Sequence, residues 1–148
     1  MSAGPGLDRF VAAQANGVYE GALAELTFGH KVRHWMWFIF PQLRGLGHSE
    51  KAQFYGLDGV AEAAACLAHP LLGPRLVACT AAIATHAGVG PVFVLGEIDA
   101  LKLRSCLTLF AAVPGAPSGI TATLARLYTN GPDPATLLRL AAPRSGDN

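Results

Sequence analysis

The chain has 148 residues, of which 51% are hydrophobic and 14% are charged, and its formal net charge is +1. This composition is typical of one globular domain and excludes a disordered chain. The small net charge gives no general attraction to nucleic acid or to an anionic membrane. No apolar run reaches the ~18 residues that span a bilayer, and "MSAGPGLDRF" has no signal-peptide pattern, so we expect a cytoplasmic protein.

Helical periodicity dominates the first half of the chain. Hydrophobic residues in "LDRFVAAQ" and "VYEGALAELTFG" recur at intervals of three and four, which predicts two helices, the second ending at Gly29. A further helix is predicted in "DGVAEAAACLAHP", with Asp58 as its N-cap residue and an end before Pro70. The Ala-rich "LLGPRLVACTAAIATHAG" predicts a long helix with Pro74 near its start and Gly88 at its end.

The second half of the chain follows the same pattern. "EIDALKLRSCLTLFAAV" and "GITATLARLY" predict helices, and "DPATLLRLA" begins with Asp133 as N-cap residue followed by Pro134. "PVFVLG" is a short apolar run that fits either a strand or a helical turn. We therefore predict a mainly α, single compact multi-helical domain over residues 7–142, with room for one or two short strands. The ends, 1–6 and 143–148, are expected to be flexible.

The cysteines and histidines do not indicate a metal site. Cys66, Cys79 and Cys106 are an odd number and lie far apart among apolar neighbours, as expected of reduced, buried thiols. The five histidines show no spacing typical of zinc ligands. We expect neither a metal nor another cofactor.

The segment "HWMWFIFPQ" contains both tryptophans and is the part least explained by helical periodicity. On a strand, Trp35 and Trp37 would point to the same side. On a helix they would lie about 200° apart, so that one ring can pack in the core while the other stacks on a ligand. Strand and helix both stay open, and so does the alternative that both rings are core.

Polar residues flank this segment. Lys31 and His34 precede it, and a lysine or histidine beside an aromatic wall can act as a nucleophile, an acid or a base. Gln42 follows it and can recognise an amide or a base edge. The alternative is a solvated basic turn between a helix and an apolar segment.

The loop "PQLRGLGHS" is a candidate anion-binding loop. Gly45 and Gly47 would let backbone N–H groups approach a phosphate closely, and Arg44 would add positive charge. No Walker A pattern is present. A plain turn before a helix capped by Ser49 explains the same residues.

Further candidates lie on later helices. Asp99, Lys102 and Ser105 are spaced three residues apart and line one stripe, which can face solvent or a cleft shared with Lys31. An aspartate beside a lysine keeps the lysine charged, so we expect Asp99 and Lys102 to form an oriented pair. Arg75 needs a partner if it is buried, and Asp99 or a ligand phosphate would serve.

Four segments together resemble the signature of the domain of unknown function 1810 family: "RFVAAQ", "ELTFGHKVRHWMWFIFPQLRGLGHSEKAQFYG", "EAAACLAHPLLGPRL" and "LGEIDALKLRSCLTLF". The resemblance covers about residues 7–112 and implies a mostly helical fold without a settled activity. The label calpastatin, attached to some members, does not suit an apolar and compact chain. In size and general architecture the chain is also similar to the NADAR (YbiA-like) fold, whose members are helical N-glycosidases, although their Glu-His motif is not present here in that form.

These expectations lead to one hypothesis and two alternatives. A cleft built from residues 29–56 and 99–108 would bind a small nucleotide-like or ribosyl molecule and cleave an N-glycosidic bond, with Lys31, His34 and Asp99 as catalytic residues. The first alternative is a helical module that binds a nucleotide or a partner protein without turnover. The second is a structural domain with "HWMWFIFPQ" entirely in its core. The expected ligand-binding residues are Trp35, Trp37, Gln42, Arg44, Gly45, Gly47, Ser49, Tyr55, Arg75, Lys102 and Ser105.

Overall fold

The computed structural model describes residues 6–142, and this part of the chain forms ten helices and no β-strand. The prediction of a mainly α, multi-helical fold is therefore confirmed. The predicted flexible ends lie outside the described residues, apart from Gly6. In chain order the helices are α1 (Asp8–Ala13), α2 (Val18–Phe28), α3 (Met36–Ile39), α4 (Glu50–Tyr55), α5 (Val60–Ala68), α6 (Leu72–Ala84), α7 (Pro91–Leu95), α8 (Glu97–Ala111), α9 (Ser118–Leu127) and α10 (Pro134–Ala141).

Helix α8 lies at the centre of the fold. Residues 105–110 are all buried, so this part of the helix is surrounded on every side. It packs against α5, α7, α9 and α10, while α6 packs against α2, α5 and α9. Each leucine that α8 buries contributes about 1.5–3 kcal/mol to folding. Its first two turns are less covered and supply the side chains discussed below.

Both segments that the sequence left open between strand and helix are helical. The tryptophan segment forms the single turn α3, and "PVFVL" forms α7, with Pro91 at its first position. The β-type pairing that the structure describes is one isolated parallel bridge between Leu43 and Leu57. No strand was therefore needed to accommodate either apolar run within residues 6–142.

Several predicted helix ends are confirmed. The Ser49 side chain accepts the N–H of Ala52 at the start of α4, and the Asp133 side chain accepts the N–H of Thr136 at the start of α10. Helix α2 ends at Gly29, whose φ of 98° lies in the left-handed region.

Two predicted helix ends are wrong. The residue before α5 is Gly59, not Asp58, because the Asp58 carboxylate is engaged in an ion pair with Arg44. The backbone N–H of Asp58 instead donates to Glu62 Oε1 at 2.8 Å. Helix α6 ends at Ala84 rather than at Gly88, since the intervening residues form turns.

A buried arginine ties α1 to the connection between α4 and α5. Arg9 donates from Nε to the carbonyl oxygen of Phe54 at 2.7 Å and from Nη2 to that of Gly56 at 2.9 Å. It also pairs with Glu62 at 3.3 Å. A buried charge is tolerated only with such partners, so Arg9 fixes the path of the chain between the two helices.

The helices of residues 6–142 were compared with the length and hydropathy that a membrane span requires. None is both long and apolar enough to cross a bilayer, and only α5 and α6 taken together, bent by 93°, reach the required length and composition.

The three cysteines are free and buried, which confirms the prediction. Burial raises the pKa of Cys66 and of Cys79 to about 12, and that of Cys106 well above its ordinary value. Because the thiolate is the nucleophilic form, the folded protein keeps all three thiols unreactive.

We therefore expect the native protein to react negligibly with Ellman's reagent at mildly alkaline pH. After unfolding in guanidinium chloride, all 3 cysteines per chain should react. The measurement is the absorbance of released thionitrobenzoate with and without denaturant. A thiol that reacts rapidly in the native protein would contradict the burial of the three cysteines.

Candidate functional site

One buried carboxylate holds the chain between α2 and α3. Glu25 Oε1 accepts the backbone N–H groups of Val32 at 2.7 Å and Arg33 at 3.1 Å. The same oxygen accepts the indole N–H of Trp35 at 2.8 Å, and Oε2 accepts Arg33 Nε at 2.8 Å. Glu25 therefore fixes both the backbone before α3 and the orientation of the buried tryptophan.

The ionisation of Glu25 follows from these contacts. Burial alone would raise the pKa of the carboxyl, but the donors of Val32, Arg33 and Trp35 outweigh burial and lower the pKa to about 2. The group is therefore a carboxylate at neutral pH. No role for Glu25 was predicted from the sequence, although it follows Val18 and Ala22 on the apolar stripe of α2, where a charged residue signals a buried partner.

Two lysines converge on a second carboxylate. Lys31 Nζ lies 3.0 Å from Asp99 Oδ2, and Lys102 Nζ lies 3.5 Å from Asp99 Oδ1. The three side chains are 11%, 17% and 22% exposed in the order Lys31, Asp99, Lys102. The predicted Asp99–Lys102 pair is therefore present, and Lys31 joins it to form the Lys31–Asp99–Lys102 cluster.

The backbone also connects the elements of this cluster. The N–H of Lys31 donates to the carbonyl oxygen of Val94 at 2.9 Å, which joins the segment after α2 to α7. Asp99 and Lys102 lie in the first two turns of α8, the helix that follows α7. Two distant parts of the sequence, residue 31 and residues 94–102, thus meet at the cluster.

The two tryptophans occupy different environments. Trp35 is 2% exposed and belongs to the core, whereas Trp37 is half-buried. Lys102 Nζ lies 3.9 Å from the centroid of the Trp37 ring, and Lys31 Nζ lies 5.3 Å from that of Trp35. Because α3 is helical, one ring is core and the other borders the cluster.

His34 follows Lys31 by three residues but is not part of the Lys31–Asp99–Lys102 cluster. Its side chain is exposed, and among residues 6–142 no hydrogen bond or ion pair joins it to Asp99. Asp99 is already engaged by the two lysines. Lys31 and Asp99 are thus in contact with each other, whereas His34 forms no hydrogen bond or ion pair with either of them within residues 6–142.

The predicted anion-binding loop is held by internal contacts. Arg44 donates from Nε to the carbonyl oxygen of Gln53 at 2.9 Å and forms the ion pair with Asp58. The carbonyl oxygen of Arg44 accepts Nε of Arg139 at 2.8 Å, and this guanidinium lies against Gly45, where a Cβ would be 2.1 Å from it. With a φ of 99°, Gly45 is explained by this packing and by its backbone conformation.

The remaining residues around this loop also have structural surroundings. Gly47 packs against Ala52, Ser49 caps α4, and Tyr55 packs against neighbouring aromatic rings. Gln42 is mostly buried, and its side chain has no hydrogen-bond partner within the described range. The ligand-binding role of Gln42 therefore stays a prediction.

Asp99, one of the two partners predicted for Arg75, is not its partner. Arg75 donates from Nη1 to Gln14 Oε1 at 3.3 Å, and its guanidinium lies 4.4 Å from the centroid of the Tyr19 ring. An amide and an aromatic face thus accommodate this partly buried charge.

Ser105 is directed away from the cluster. Its hydroxyl lies 3.2 Å from the Leu101 carbonyl oxygen and 3.2 Å from Asp133 Oδ2, at the start of α10. The residue therefore helps to seat α10 on α8. The spacing of three residues predicted that Ser105 shares a stripe with Asp99. Six residues of helix, however, rotate the side-chain direction by about 120°.

Exposed apolar side chains flank the cluster. Phe28 is 84% exposed, and Val32, Phe93 and Ile98 are also mostly exposed. Each lies within three residues of Lys31, Val94 or Asp99 in the chain. Exposed apolar side chains mark a binding region where they form a contiguous surface, and helical periodicity alone did not distinguish these residues from core. No set of three His, Cys, Asp or Glu residues suited to a metal occurs in the described part of the chain.

Comparison with known proteins adds a family and a fold. A family model described as protein of unknown function (DUF1810) matches residues 5–140. No curated protein matches the sequence significantly. The crystal structure of the conserved hypothetical protein Rv1873 from Mycobacterium tuberculosis at 1.38 Å is similar, with a TM-score of 0.88, 47% sequence identity, and coverage of 93% of this chain and 97% of that chain. The likeness to the NADAR fold finds no support in these matches and stays a prediction.

The role of Glu25 can be tested by Glu25→Gln. We expect the free energy of unfolding to fall by about 2 kcal/mol at neutral pH, because the amide loses the charge and turns an N–H group toward existing donors. Denaturant unfolding measures the change. Glu20→Gln, on the exposed side of the same helix, is the control and should change stability little.

The pH dependence gives the same test a second readout. The pKa of Glu25 is lowered from 4.5 to about 2, so its stabilisation is complete above pH 4.5 and is lost as the pH falls toward 2. The Glu25→Gln variant should lack this part of the acid-induced loss. Identical pH profiles for wild type and variant would show that the carboxylate does not stabilise the fold.

Proposed function

The chain belongs to the DUF1810 family, whose function is unknown, and from its own geometry we propose that it binds a small, anionic, nucleotide-like molecule. The observation that carries the proposal is the convergence of two ammonium groups on one mostly buried carboxylate beside the Trp37 ring. The site is the Lys31–Asp99–Lys102 cluster.

Charge is the first argument for an anionic ligand. Two lysines and one aspartate leave one positive charge without a partner inside the cluster. The side chains are largely shielded from water, where an ion pair is stronger than at an exposed surface. A phosphate offers several oxygen atoms and can therefore contact both ammonium groups.

The aromatic ring is the second argument. Lys102 now lies over the face of Trp37, and its flexible stem would let the ammonium turn toward a phosphate. This movement would uncover a half-buried indole face on which a base can stack. A molecule with both a phosphate and a planar ring therefore matches the site better than either group alone.

Isothermal titration with ADP-ribose, AMP and ribose 5-phosphate tests this proposal. We expect Lys102→Met to weaken binding of all three by about tenfold or more, since it removes a charge-assisted contact of about 1.4 kcal/mol. Trp37→Leu should weaken ADP-ribose and AMP but leave ribose 5-phosphate unchanged. Lys51→Met, an exposed lysine on α4, is the matched control and should have no effect.

Absence of saturable binding by the wild type, or an equal loss in the Lys51→Met control, would overturn the proposal. The alternative would then be a module that binds a partner protein, for which the exposed side chains of Phe28, Phe93 and Ile98 are suited.

We propose hydrolysis of an N-glycosidic bond as a second candidate function at the same cluster. Asp99 favours it, because two ammonium groups hold this carboxylate in place. A fixed carboxylate can stabilise the oxocarbenium-like transition state in which the bond to the ribose breaks. Lys31 or the exposed His34 would give a proton to the leaving base, and the water that adds to the sugar carbon would return a proton to the same amine or imidazole.

Incubation with ADP-ribosylated guanosine and with ribosylamino-pyrimidine phosphates, followed by mass spectrometry, tests for turnover. We expect freed base or amine, reduced by about a hundredfold or more in Asp99→Asn. Lys31→Ala and His34→Ala identify the proton donor, and the melting temperature of each variant checks its fold. Binding without release, or release unaffected by all three substitutions, would exclude the hydrolase and leave a binding module.

A further inference from the structure

A cavity lies on the side of α8 opposite the Lys31–Asp99–Lys102 cluster. Its volume is about 420 Å³, which is within the range of sites for small molecules. Successive residues of a helix are rotated by about 100°, so positions 97, 100, 101 and 104 share one face of α8, whereas 99 and 102 lie on the other. The cavity is therefore separate from the site proposed above.

The floor and walls of the cavity are mostly apolar. Ala100 and Leu101 of α8 form the floor, and α7 and the end of α9 form the sides with Val92, Leu127 and Tyr128. The Tyr128 hydroxyl donates to the carbonyl oxygen of Ala100 at 2.5 Å, which holds the ring against α8. Burial raises the pKa of this phenol, so the hydroxyl stays a neutral donor.

Opposite charges stand at the two ends of this apolar floor. Glu97 and Arg104 are seven residues apart on α8, which places their backbones about 10 Å apart along the axis. Neither forms an ion pair with any residue between 6 and 142. Two uncompensated charges of opposite sign therefore line one cavity.

Arg104 is also held in a fixed position. Its Nε donates to the carbonyl oxygen of Gly131 at 2.9 Å, and its Nη2 donates to that of Pro132 at 3.1 Å. These neutral acceptors leave the guanidinium charge unbalanced, and within the described residues Nη1 is not engaged. Because the group is half-buried and anchored, it can receive a carboxylate without ordering a flexible side chain.

We propose that this cavity binds a short zwitterionic peptide of two or three residues. The peptide ammonium pairs with Glu97 and its terminal carboxylate pairs with Arg104. An extended chain spans about 3.3–3.6 Å per residue, so two or three residues cover about 7–11 Å, which is comparable with the ~10 Å between the backbones of Glu97 and Arg104. Apolar side chains of the peptide pack on Leu101 and Val92, and Asn130 at the rim offers an amide to its backbone.

Titration calorimetry of the full chain with Ala-Leu, N-acetyl-Ala-Leu and Ala-Leu amide tests the proposal. We expect saturable binding of Ala-Leu. Removal of either terminal charge should weaken binding by about tenfold or more. Glu97→Gln should weaken Ala-Leu to the same degree but leave the acetylated peptide unchanged. Glu50→Gln, an exposed carboxylate on α4, is the control and should bind as wild type does.

Arg104→Lys is a further variant, but Arg104 also anchors the chain after α9, so a loss of folding is checked by its melting temperature. Glu97 is exposed, and its substitution keeps the test valid whatever happens to Arg104. Binding of ADP-ribose should be unchanged in Glu97→Gln, which separates this site from the one on the opposite face. Failure of Ala-Leu to bind, equal binding of the acetylated peptide, or an unchanged affinity in Glu97→Gln would overturn the proposal.

Discussion

The buried carboxylate of Glu25 sets the path of the chain from α2 into α3, and the candidate site depends on that path. A buried charge must be satisfied by donors, and the donors here are two successive backbone N–H groups, an indole and a guanidinium. These hydrogen bonds hold residues 32–35 against Glu25, near the end of α2. Lys31 is thereby brought to α7, where its N–H meets Val94, and to Asp99 on α8. The Glu25 carboxylate thus positions Lys31 in the proposed site.

Helix α8 contributes to the core, to the Lys31–Asp99–Lys102 cluster and to the cavity beside Glu97 and Arg104, because its environment changes along its length. Its second half is surrounded by other helices and forms the centre of the core. Its first two turns are only partly covered and carry charged groups on opposite faces, Asp99 and Lys102 toward α3, Glu97 and Arg104 toward the end of α9. The rigid buried half fixes the positions of both sets, which is the arrangement expected of sites built on stable elements.

Local signals in the sequence were sufficient for much of the fold. Periodicity located the longer helices, and Ser49, Asp133 and Gly29 marked ends correctly because a cap bonds to residues next to it in the chain. Asp58 gave the same local signal, but an ion pair with Arg44 overrode it. The Asp99–Lys102 pair was predictable at a spacing of three residues. The partner of Arg75 lies 61 residues away, at Gln14, and no local pattern contains that information.

The arrangement of the two tryptophans explains why the proposed ligand must have two parts. Trp35 is committed to the core through Glu25, so only Trp37 is available to a ligand. In the described state Lys102 covers that ring, and a cation–π contact of this kind is worth about 0.5–2 kcal/mol. A planar ring without a phosphate would have to displace the lysine with no compensation for the lost contact. A phosphate without a ring would draw the lysine away and leave the indole exposed. Only a molecule that carries both groups would replace each contact that it breaks, and a nucleotide has that composition.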